Sequence, residues 1–291
     1  MSAKKTMVSD DIKKAAMALR KQRPAYAEIL EFYEQVFVAQ EICKNQIDIA
    51  PIEISDEIRS VKAREKFPLI DISEFRIDMH AATDLFTIIC QIATSSTERL
   101  ATSAQKLLGA LDADLDSKTL FSNLLNPNDT RIQAVAKKLN IETNILTFVT
   151  YSSVKPALTL CAEQLSMYLD KEDPWQKGYC PICGSPPVLS MLDGEGERSL
   201  ICSFCWYNWP VKRIFCPFCD LHDSKTFHYF FSKEEKEYRV YTCESCNRYI
   251  KTIDSRKIDR IAYPPLEQVV TLHLDMQARQ KGFKSDLRLY I

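Results

Sequence analysis

Residues 180–219 read CPICGSPPVLSMLDGEGERSLICSFCWYNWPVKRIFCPFC, and residues 243–246 add CESC. These two segments contain four Cys-x-x-Cys pairs, namely Cys180/Cys183, Cys202/Cys205, Cys216/Cys219 and Cys243/Cys246. Two cysteines separated by two residues can bind one tetrahedral metal ion, and a second pair completes a shell of four sulfurs. The four pairs therefore predict two closed metal sites.

The spacing between pairs indicates how they combine. Eighteen residues separate the first pair from the second, ten the second from the third, and twenty-three the third from the fourth. A hairpin of roughly 15 to 20 residues between two pairs is typical of zinc ribbons. Consecutive pairing is the simplest arrangement, with a first cage of Cys180, Cys183, Cys202 and Cys205 and a second cage of Cys216, Cys219, Cys243 and Cys246. Interleaved pairing stays open.

Each cysteine pair forms a knuckle, in which the chain reverses direction after the second cysteine. The next residue often needs a positive φ, which glycine accepts freely and Asn or Asp tolerate. Gly184, Asp220 and Asn247 occupy that place in three knuckles. Trp206 occupies it in the knuckle of Cys202 and Cys205, so we expect that knuckle to end differently.

A closed four-sulfur shell leaves no position for water or substrate, which predicts structural rather than catalytic metal ions. Tetrahedral sulfur ligation suits zinc and a single rubredoxin-like iron alike. A dithiol-exchange role is disfavoured, because none of the pairs clearly opens a helix. The other cysteines, Cys43, Cys90 and Cys161, stand singly among apolar residues and are interpreted as buried, inert thiols.

The chain before the cysteines is predicted to be helical. From Tyr26 to Phe37 apolar residues recur at three- and four-residue steps, and further helices are expected near residues 79–95, 97–111, 130–139 and 156–170. Residues 47–75 contain two prolines and lack a clean period, so we interpret them as a connector packed on the helical bundle.

The composition changes at KEDPWQKGYC, residues 171–180, where we place a domain boundary. The predicted domains are a helical domain at 1–172, a first metal module at 173–214, and a second metal module at 215–291. Within the last, FHYFF and YRVYT around KEEKE predict a hairpin, and LEQVVTLHLDMQARQKGF predicts a C-terminal helix.

Charge and hydropathy exclude some classes of protein. The 38 basic and 39 acidic side chains nearly cancel, and residues 171–291 hold 18 basic and 16 acidic ones, so a broad phosphate-binding surface is not expected. No stretch is expected to reach the roughly 18 to 20 apolar residues of a membrane span, and no cleavable leader is recognised. We therefore expect a cytoplasmic protein, where reducing conditions favour metal-bound cysteines.

Several segments resemble the formate dehydrogenase accessory proteins of the FdhE type. They are GYCPICGSPPVLS, ERSLICSFCWYNWPVKRIFCPFC, YTCESCNRYIKTID and TLHLDMQARQKGF, with a weaker likeness in KQRPAYAEILEFYE. Four knuckles in this order, together with Trp209, Arg213 and Tyr249–Lys251, make the resemblance fairly specific.

The resemblance implies an all-helical N-terminal domain followed by two rubredoxin-like, zinc-ribbon-like modules and a C-terminal helix. It further implies an accessory protein, not an enzyme, that binds the catalytic subunit of a molybdenum or tungsten formate dehydrogenase and assists its maturation in the cytoplasm. Cysteine pairs in this family have been linked to iron. We hypothesise that Trp209, Arg213 and Lys251 line a groove, between the modules and the helical body, that holds part of the subunit.

Two other classes of protein remain as alternatives. A zinc-ribbon nucleic-acid-binding protein is suggested by the basic segment NRYIKTIDSRKIDR, which carries five Lys or Arg against two Asp. A rubredoxin-like electron-transfer protein would instead contain iron that changes colour reversibly on reduction. The metal content and a salt-sensitive gel shift distinguish these classes from an accessory protein.

Overall fold

The computed structural model describes residues 2–113, 115–126, 130–170, 172–232 and 234–285, with side chains from residue 8 onward. The chain forms two compact units. The described residues of unit 1 lie within Met1–Pro51 and Ile72–Cys161, and those of unit 2 lie within Ile52–Asp71 and Ala162–Leu289. This division differs from the predicted boundary at residue 172, and both metal modules fall in unit 2.

The helices in chain order are α1 (Ser2–Gln22), α2 (Ala27–Lys44), α3 (Asp56–Glu65), α4 (Met79–Ala93), α5 (Glu98–Asp112), α6 (Ser117–Leu124), α7 (Arg131–Leu139), α8 (Thr143–Leu165), α9 (Pro264–Val270) and α10 (Leu272–Gln280). The strands are β1 (Pro187–Asp193), β2 (Glu197–Cys202), β3 (Asn208–Val211), β4 (Phe227–Phe230), β5 (Tyr238–Cys243) and β6 (Arg248–Asp254).

Unit 1 is helical, as predicted. Helices α2, α4, α5 and α7 agree with the sequence periodicity. Leu30, Val36 and Phe37 of α2 are buried, and Phe86 of α4 packs edge to face on Phe121 of α6 at 6.1 Å between ring centroids. Apolar residues at helical spacing thus form the core of this unit.

Helix α8 begins thirteen residues before the predicted start at residue 156, because Pro156 lies inside the helix rather than at its first turn. A proline removes the hydrogen bond to the carbonyl four residues earlier, which here is that of Ser152. The side chain of Gln40 donates to that carbonyl at 2.8 Å. Since this partner lies far away in the sequence, helical periodicity alone could not show that the helix continues.

The segment Thr143–Tyr168 is also a long apolar helix. By length and composition it passes the test for a membrane span, so the expectation that no stretch would do so was wrong. Most of this segment is buried inside the protein, as a core helix is.

Residues 52–71, the larger part of the predicted connector, belong to unit 2 and not to the helical unit. Ser55 caps α3 by accepting a hydrogen bond from the amide of Ile58, and the helix ends at Lys66, whose φ is 55°. The amides of Leu69 and Ile70 then donate to the carbonyls of Pro181 and Ile182, both at 2.9 Å. The segment is therefore attached to the first knuckle.

The strands of unit 2 form one six-stranded sheet in the order β3-β2-β1-β6-β5-β4. The first module (β1 to β3) and the second module (β4 to β6) are each antiparallel, and the predicted hairpin of β4 and β5 is confirmed. Strands β1 and β6 pair in parallel, with Leu189 opposite Lys251. The two predicted modules thus share one sheet.

The C-terminal helical segment is broken into α9 and α10 at Thr271, whose hydroxyl donates to the carbonyl of Glu267 at 2.7 Å. Buried polar pairs connect these helices to the sheet. The ammonium of Lys251 lies 2.6 Å from Asp275, which also accepts a hydrogen bond from Tyr249 at 2.9 Å. Glu267 similarly accepts a hydrogen bond from Tyr238.

Candidate metal centres

The knuckles share one local geometry. The amide of the residue after the second cysteine donates to the carbonyl of the first cysteine, from Gly184 to Cys180 at 2.9 Å and from Asp220 to Cys216 at 3.0 Å. The amide of the first cysteine donates a hydrogen bond to the carbonyl of the residue five positions later. In the knuckle of Cys202, this bond to the carbonyl of Tyr207 measures 2.9 Å. This turn places the two sulfurs of a pair on the same side of the chain.

All four knuckles end with a residue at positive φ. The values are 74° for Gly184, 62° for Trp206, 58° for Asp220 and 56° for Asn247. The expectation that the knuckle of Trp206 would end differently was therefore wrong. The turn and its two hydrogen-bonded cysteines determine the backbone conformation there, and the half-buried Trp206 adopts it although bulky residues rarely do.

The structure brings the cysteines together in the consecutive arrangement. In the first cage the sulfurs of Cys180 and Cys205 lie 3.6 Å apart, as do those of Cys183 and Cys202. All four residues are buried, with exposed fractions from 0 to 6%. The amides of Phe204 and Cys205 also point at the sulfur of Cys202, at 3.3 and 3.4 Å. Such N–H groups stabilise a thiolate.

The second cage has nearly the same sulfur–sulfur distances, but its cysteines are more exposed to solvent. The sulfurs of Cys216 and Cys246 lie 3.7 Å apart, as do those of Cys219 and Cys243. Cys216 and Cys243 are buried, whereas Cys219 is exposed and Cys246 is half-buried. One side of this cage therefore faces solvent.

The sulfur distances fit a metal ion at the centre of each cage. Four sulfurs at about 2.3 Å from one ion form a tetrahedron with edges of roughly 3.8 Å. The ligand atoms of each cage all lie within 4.8 Å of one another. Each cage could therefore hold one ion in a closed shell. No histidine or carboxylate joins either group among the described residues.

The thiols within each cage differ in acidity. In the first cage burial raises the pKa of Cys180 and Cys205, while hydrogen bonds from its neighbouring thiols lower the pKa of Cys183. In the second cage burial raises the pKa of Cys246 to about 11. Against burial, the amides of Cys246 and Ser245 lower the pKa of Cys243. Metal binding displaces the protons that remain, so it should strengthen as pH rises.

The cages are close neighbours within unit 2. A Cβ atom at Gly178, just before the first knuckle, would overlap the backbone of Pro217 inside the third knuckle. Only glycine allows this approach. Arg198 on β2 also reaches the second module, where its guanidinium donates to the carbonyl of Phe215 at 2.8 Å. Sequence reasoning missed Arg198, because an arginine in an alternating strand pattern gives no sign of burial.

The three residues predicted to line a partner groove are not together on the surface. Arg213 is exposed. Trp209 is 1% exposed and donates from its indole to the carbonyl of Lys177 at 3.0 Å. Lys251 is 3% exposed and holds Asp275. The side chain of Lys251 thus stabilises the interior of unit 2, which corrects the surface role predicted for it. Trp209 is buried but belongs to the lining of the cavity described next.

A cavity of about 660 Å³ lies beside the first cage. Its lining includes the knuckle residues Pro181 and Tyr207, with Phe67, Tyr168 and Trp175. Phe67 is 59% exposed. The indole of Trp175 donates internally to the carbonyl of Tyr179 at 2.8 Å, so the ring contributes apolar surface to the cavity. Sequence reasoning missed this cavity, because part of its lining comes from residues 52–71, which lie in the segment interpreted as a connector.

The fold and the cages define a protein with a helical unit and a pair of zinc-ribbon-like modules in one sheet. Residues 179–213 match the family model described as FdhE, central domain. Over this central domain the chain is therefore similar to FdhE proteins, and the relatives described next carry the same name.

The chain is 37% identical over 147 residues to an FdhE homologue of Aquifex aeolicus, covering 49% of this chain and 50% of that relative. It is 24% identical over 280 residues to an FdhE homologue of Proteus mirabilis, covering 91% and 82%. The chain thus spans half the length of the Aquifex relative. The crystal structure of the FdhE protein from Pseudomonas aeruginosa has a similar fold, with a TM-score of 0.60, 19% identity, and coverage of 97% and 96%.

Proposed function

We propose that this chain is a cytoplasmic accessory protein that binds the catalytic subunit of a molybdenum or tungsten formate dehydrogenase and assists its maturation. The observation that carries the proposal is the pair of closed four-cysteine cages in a chain whose central segment matches the FdhE family model. A closed shell gives a metal ion a structural role and offers no position for substrate. The protein is accordingly proposed to act by binding rather than by catalysis.

Each cage is proposed to hold one zinc or iron ion. The sulfur spacing suits both metals, since both accept tetrahedral thiolate ligation. Metal analysis of the chain purified with its partner identifies the ion. Iron that loses and regains colour on reduction and oxidation would support the electron-transfer alternative, whereas two zinc ions in a colourless protein would exclude it.

Two surface features of unit 2 are proposed to contact the subunit. One is the exposed guanidinium of Arg213, and the other is the aromatic cavity around Phe67 and Tyr207. Exposed aromatic and arginine side chains are frequent at the energetic centres of protein interfaces. The amides of Leu69 and Ile70, which follow Phe67, bond to the first knuckle, and a segment held in place before binding loses less entropy on binding.

The test is affinity purification of the tagged full chain from its native host. We expect the formate dehydrogenase catalytic subunit to co-purify, and Arg213→Glu and Phe67→Glu each to reduce its recovery. Lys225→Glu is a matched charge-reversal control at an exposed position. Absence of the subunit, both with and without its cofactor, would exclude the maturation role. A salt-sensitive gel shift that Arg213→Glu abolishes would support nucleic-acid binding instead.

A further inference from the structure

Arg198 belongs to the first module, but its guanidinium lies against three aromatic rings of the second. It lies on β2 and is only 2% exposed. Its guanidinium carbon lies over three rings of the second module, at 5.7 Å from the centroid of Phe215, 5.4 Å from Phe227 and 5.5 Å from Tyr241. Aromatic faces attract a cation, most strongly where water is excluded. This attraction helps to stabilise the charged guanidinium in its buried position.

The hydrogen bonds of Arg198 leave its charge uncompensated by the protein. Its Nε donates to the hydroxyl of Ser190 at 3.0 Å, and one terminal nitrogen donates to the carbonyls of Phe215 and Arg213 at 2.8 and 3.3 Å. The other terminal nitrogen, Nη2, is buried without a hydrogen-bond partner among the described residues. No carboxylate there forms an ion pair with it. A buried cation without an anion is costly, so a source of negative charge is needed nearby.

The second cage can supply that charge. Four thiolates on one divalent ion carry a net charge of minus two. The buried side of this cage packs as one cluster of Cys216, Cys243 and Phe227, with Tyr241 against it. Arg198 lies over Phe227 and Tyr241 and bonds to the carbonyl immediately before Cys216. It therefore borders the buried wall of the second cage.

The acidity of the guanidinium agrees with this placement. Burial lowers the pKa of Arg198 to about 10. The side chain remains charged at neutral pH.

We propose that Arg198 is a positioning residue of the second metal site, which neutralises part of the charge of the loaded cage and holds the non-strand segment that leads into Cys216. Because Arg198 comes from the first module, tight metal binding at the second cage then depends on a folded first module. This inference rests on the proposed metal binding. It assigns no role to Arg198 in ligation itself.

The test is competition between the full chain and a chromophoric chelator for cobalt, whose absorption reports tetrahedral sulfur ligation. A Cys216→Ser/Cys246→Ser variant gives the titration of the first cage alone. We expect Arg198→Gln to weaken binding at the second cage about 10- to 100-fold, as loss of a partner around a metal site typically does, and to leave the first cage unchanged. Arg198→Lys should retain part of the affinity, since it keeps the charge.

Arg239→Gln is the matched control, because Arg239 on β5 also lies over a ring, at 5.1 Å from Tyr229, but pairs with Asp254 rather than with a cage. It should leave both affinities unchanged. Equal affinity of the second cage in Arg198→Gln and the unaltered protein would overturn the proposal. So would equal weakening at both cages, which would indicate general damage to unit 2. If the unaltered protein binds no second ion, the metal assignment fails instead.

Discussion

The two cages have the same knuckle turn and the same sulfur spacing, yet they differ in burial. Sulfurs in contact are 3.6 to 3.7 Å apart in the first cage and 3.7 Å apart in the second. All four cysteines of the first cage are buried, whereas Cys219 of the second is exposed. The knuckle thus determines the coordination geometry, and the segments packed over it determine access to the metal.

Those covering segments come from different parts of the chain. The first cage is covered by the segment of Leu69 and Ile70, whose amides donate hydrogen bonds to its first knuckle. The second cage is held from the C-terminal side, where the amide of Lys284 donates to the carbonyl of Asn247 at 2.7 Å. Cys219 of this cage is nevertheless exposed. We therefore expect the first cage to dominate stability and the second to dominate reactivity.

The largest difference in metal content and thermal stability should appear when one cysteine ligand is removed from each cage in turn. Cys205→Ser should release the first ion and unfold unit 2, because a structural zinc site contributes an apparent 10 to 16 kcal/mol, roughly, at neutral pH. Cys219→Ser should cost less, since water can replace an exposed ligand. Metal-to-protein ratio and thermal unfolding by circular dichroism measure both effects.

Cys43→Ser is the control, because this half-buried thiol lies in unit 1, outside both cages. It should leave the metal content unchanged. Equal loss of metal and of thermal stability in Cys205→Ser and Cys219→Ser would contradict the difference assigned to burial.

A smaller difference in the free energy of unfolding should appear between two ion pairs, one on a C-terminal helix and one next to the first cage. Asp275→Asn should destabilise unit 2 by about 3 to 5 kcal/mol, because it leaves the buried ammonium of Lys251 without its carboxylate. Asp173→Asn, which removes the exposed partner of Lys66 near the first cage, should cost less than about 1 kcal/mol. Denaturant unfolding of the metal-loaded protein measures both free energies.

The double variant Lys251→Met/Asp275→Leu tests the cause, since replacing a buried pair by apolar residues is often neutral. It should recover much of the stability lost in Asp275→Asn. If the double variant is as unstable as the single one, packing rather than the unpaired charge explains the loss.

Sequence reasoning identified both cages, because ligand spacing is a local property of the chain. Four Cys-x-x-Cys pairs at ribbon spacing determine which sulfurs can meet, and helical periodicity determines α2 and α4 in the same local way. Consecutive pairing was the simplest topology, and the structure has it.

The features that sequence reasoning missed depend on contacts between distant residues. Gln40 satisfies the carbonyl freed by Pro156, so α8 continues through a proline. Trp206 adopts a positive φ because the knuckle holds it there. Lys251 was interpreted as a surface cation, since its partner Asp275 lies on a helix whose position the sequence did not reveal.

Cysteine reactivity should also separate the cages. With limiting alkylating reagent, we expect Cys219 to be modified at least about tenfold faster than Cys205, because a buried thiol reacts only after local opening of the fold. Peptide mapping by mass spectrometry over time gives the two rates. Chelator should remove the second ion first for the same reason. Equal rates would mean that both cages open by one common unfolding step.

The smallest effects concern the residue that closes each knuckle. Gly184 has a φ of 74°, and a Cβ there would lie 3.2 Å from the side chain of Pro68. Gly184→Ala should therefore destabilise the protein by about 1 to 2 kcal/mol, the cost of a left-handed conformation for an ordinary residue. Asn247→Gly at the second cage should change stability by less than about 1 kcal/mol, because Asn already tolerates this conformation and glycine adds freedom to the unfolded chain. Denaturant midpoints at matched metal content compare the two substitutions, and an unchanged midpoint for Gly184→Ala would show that the first knuckle relaxes despite its burial.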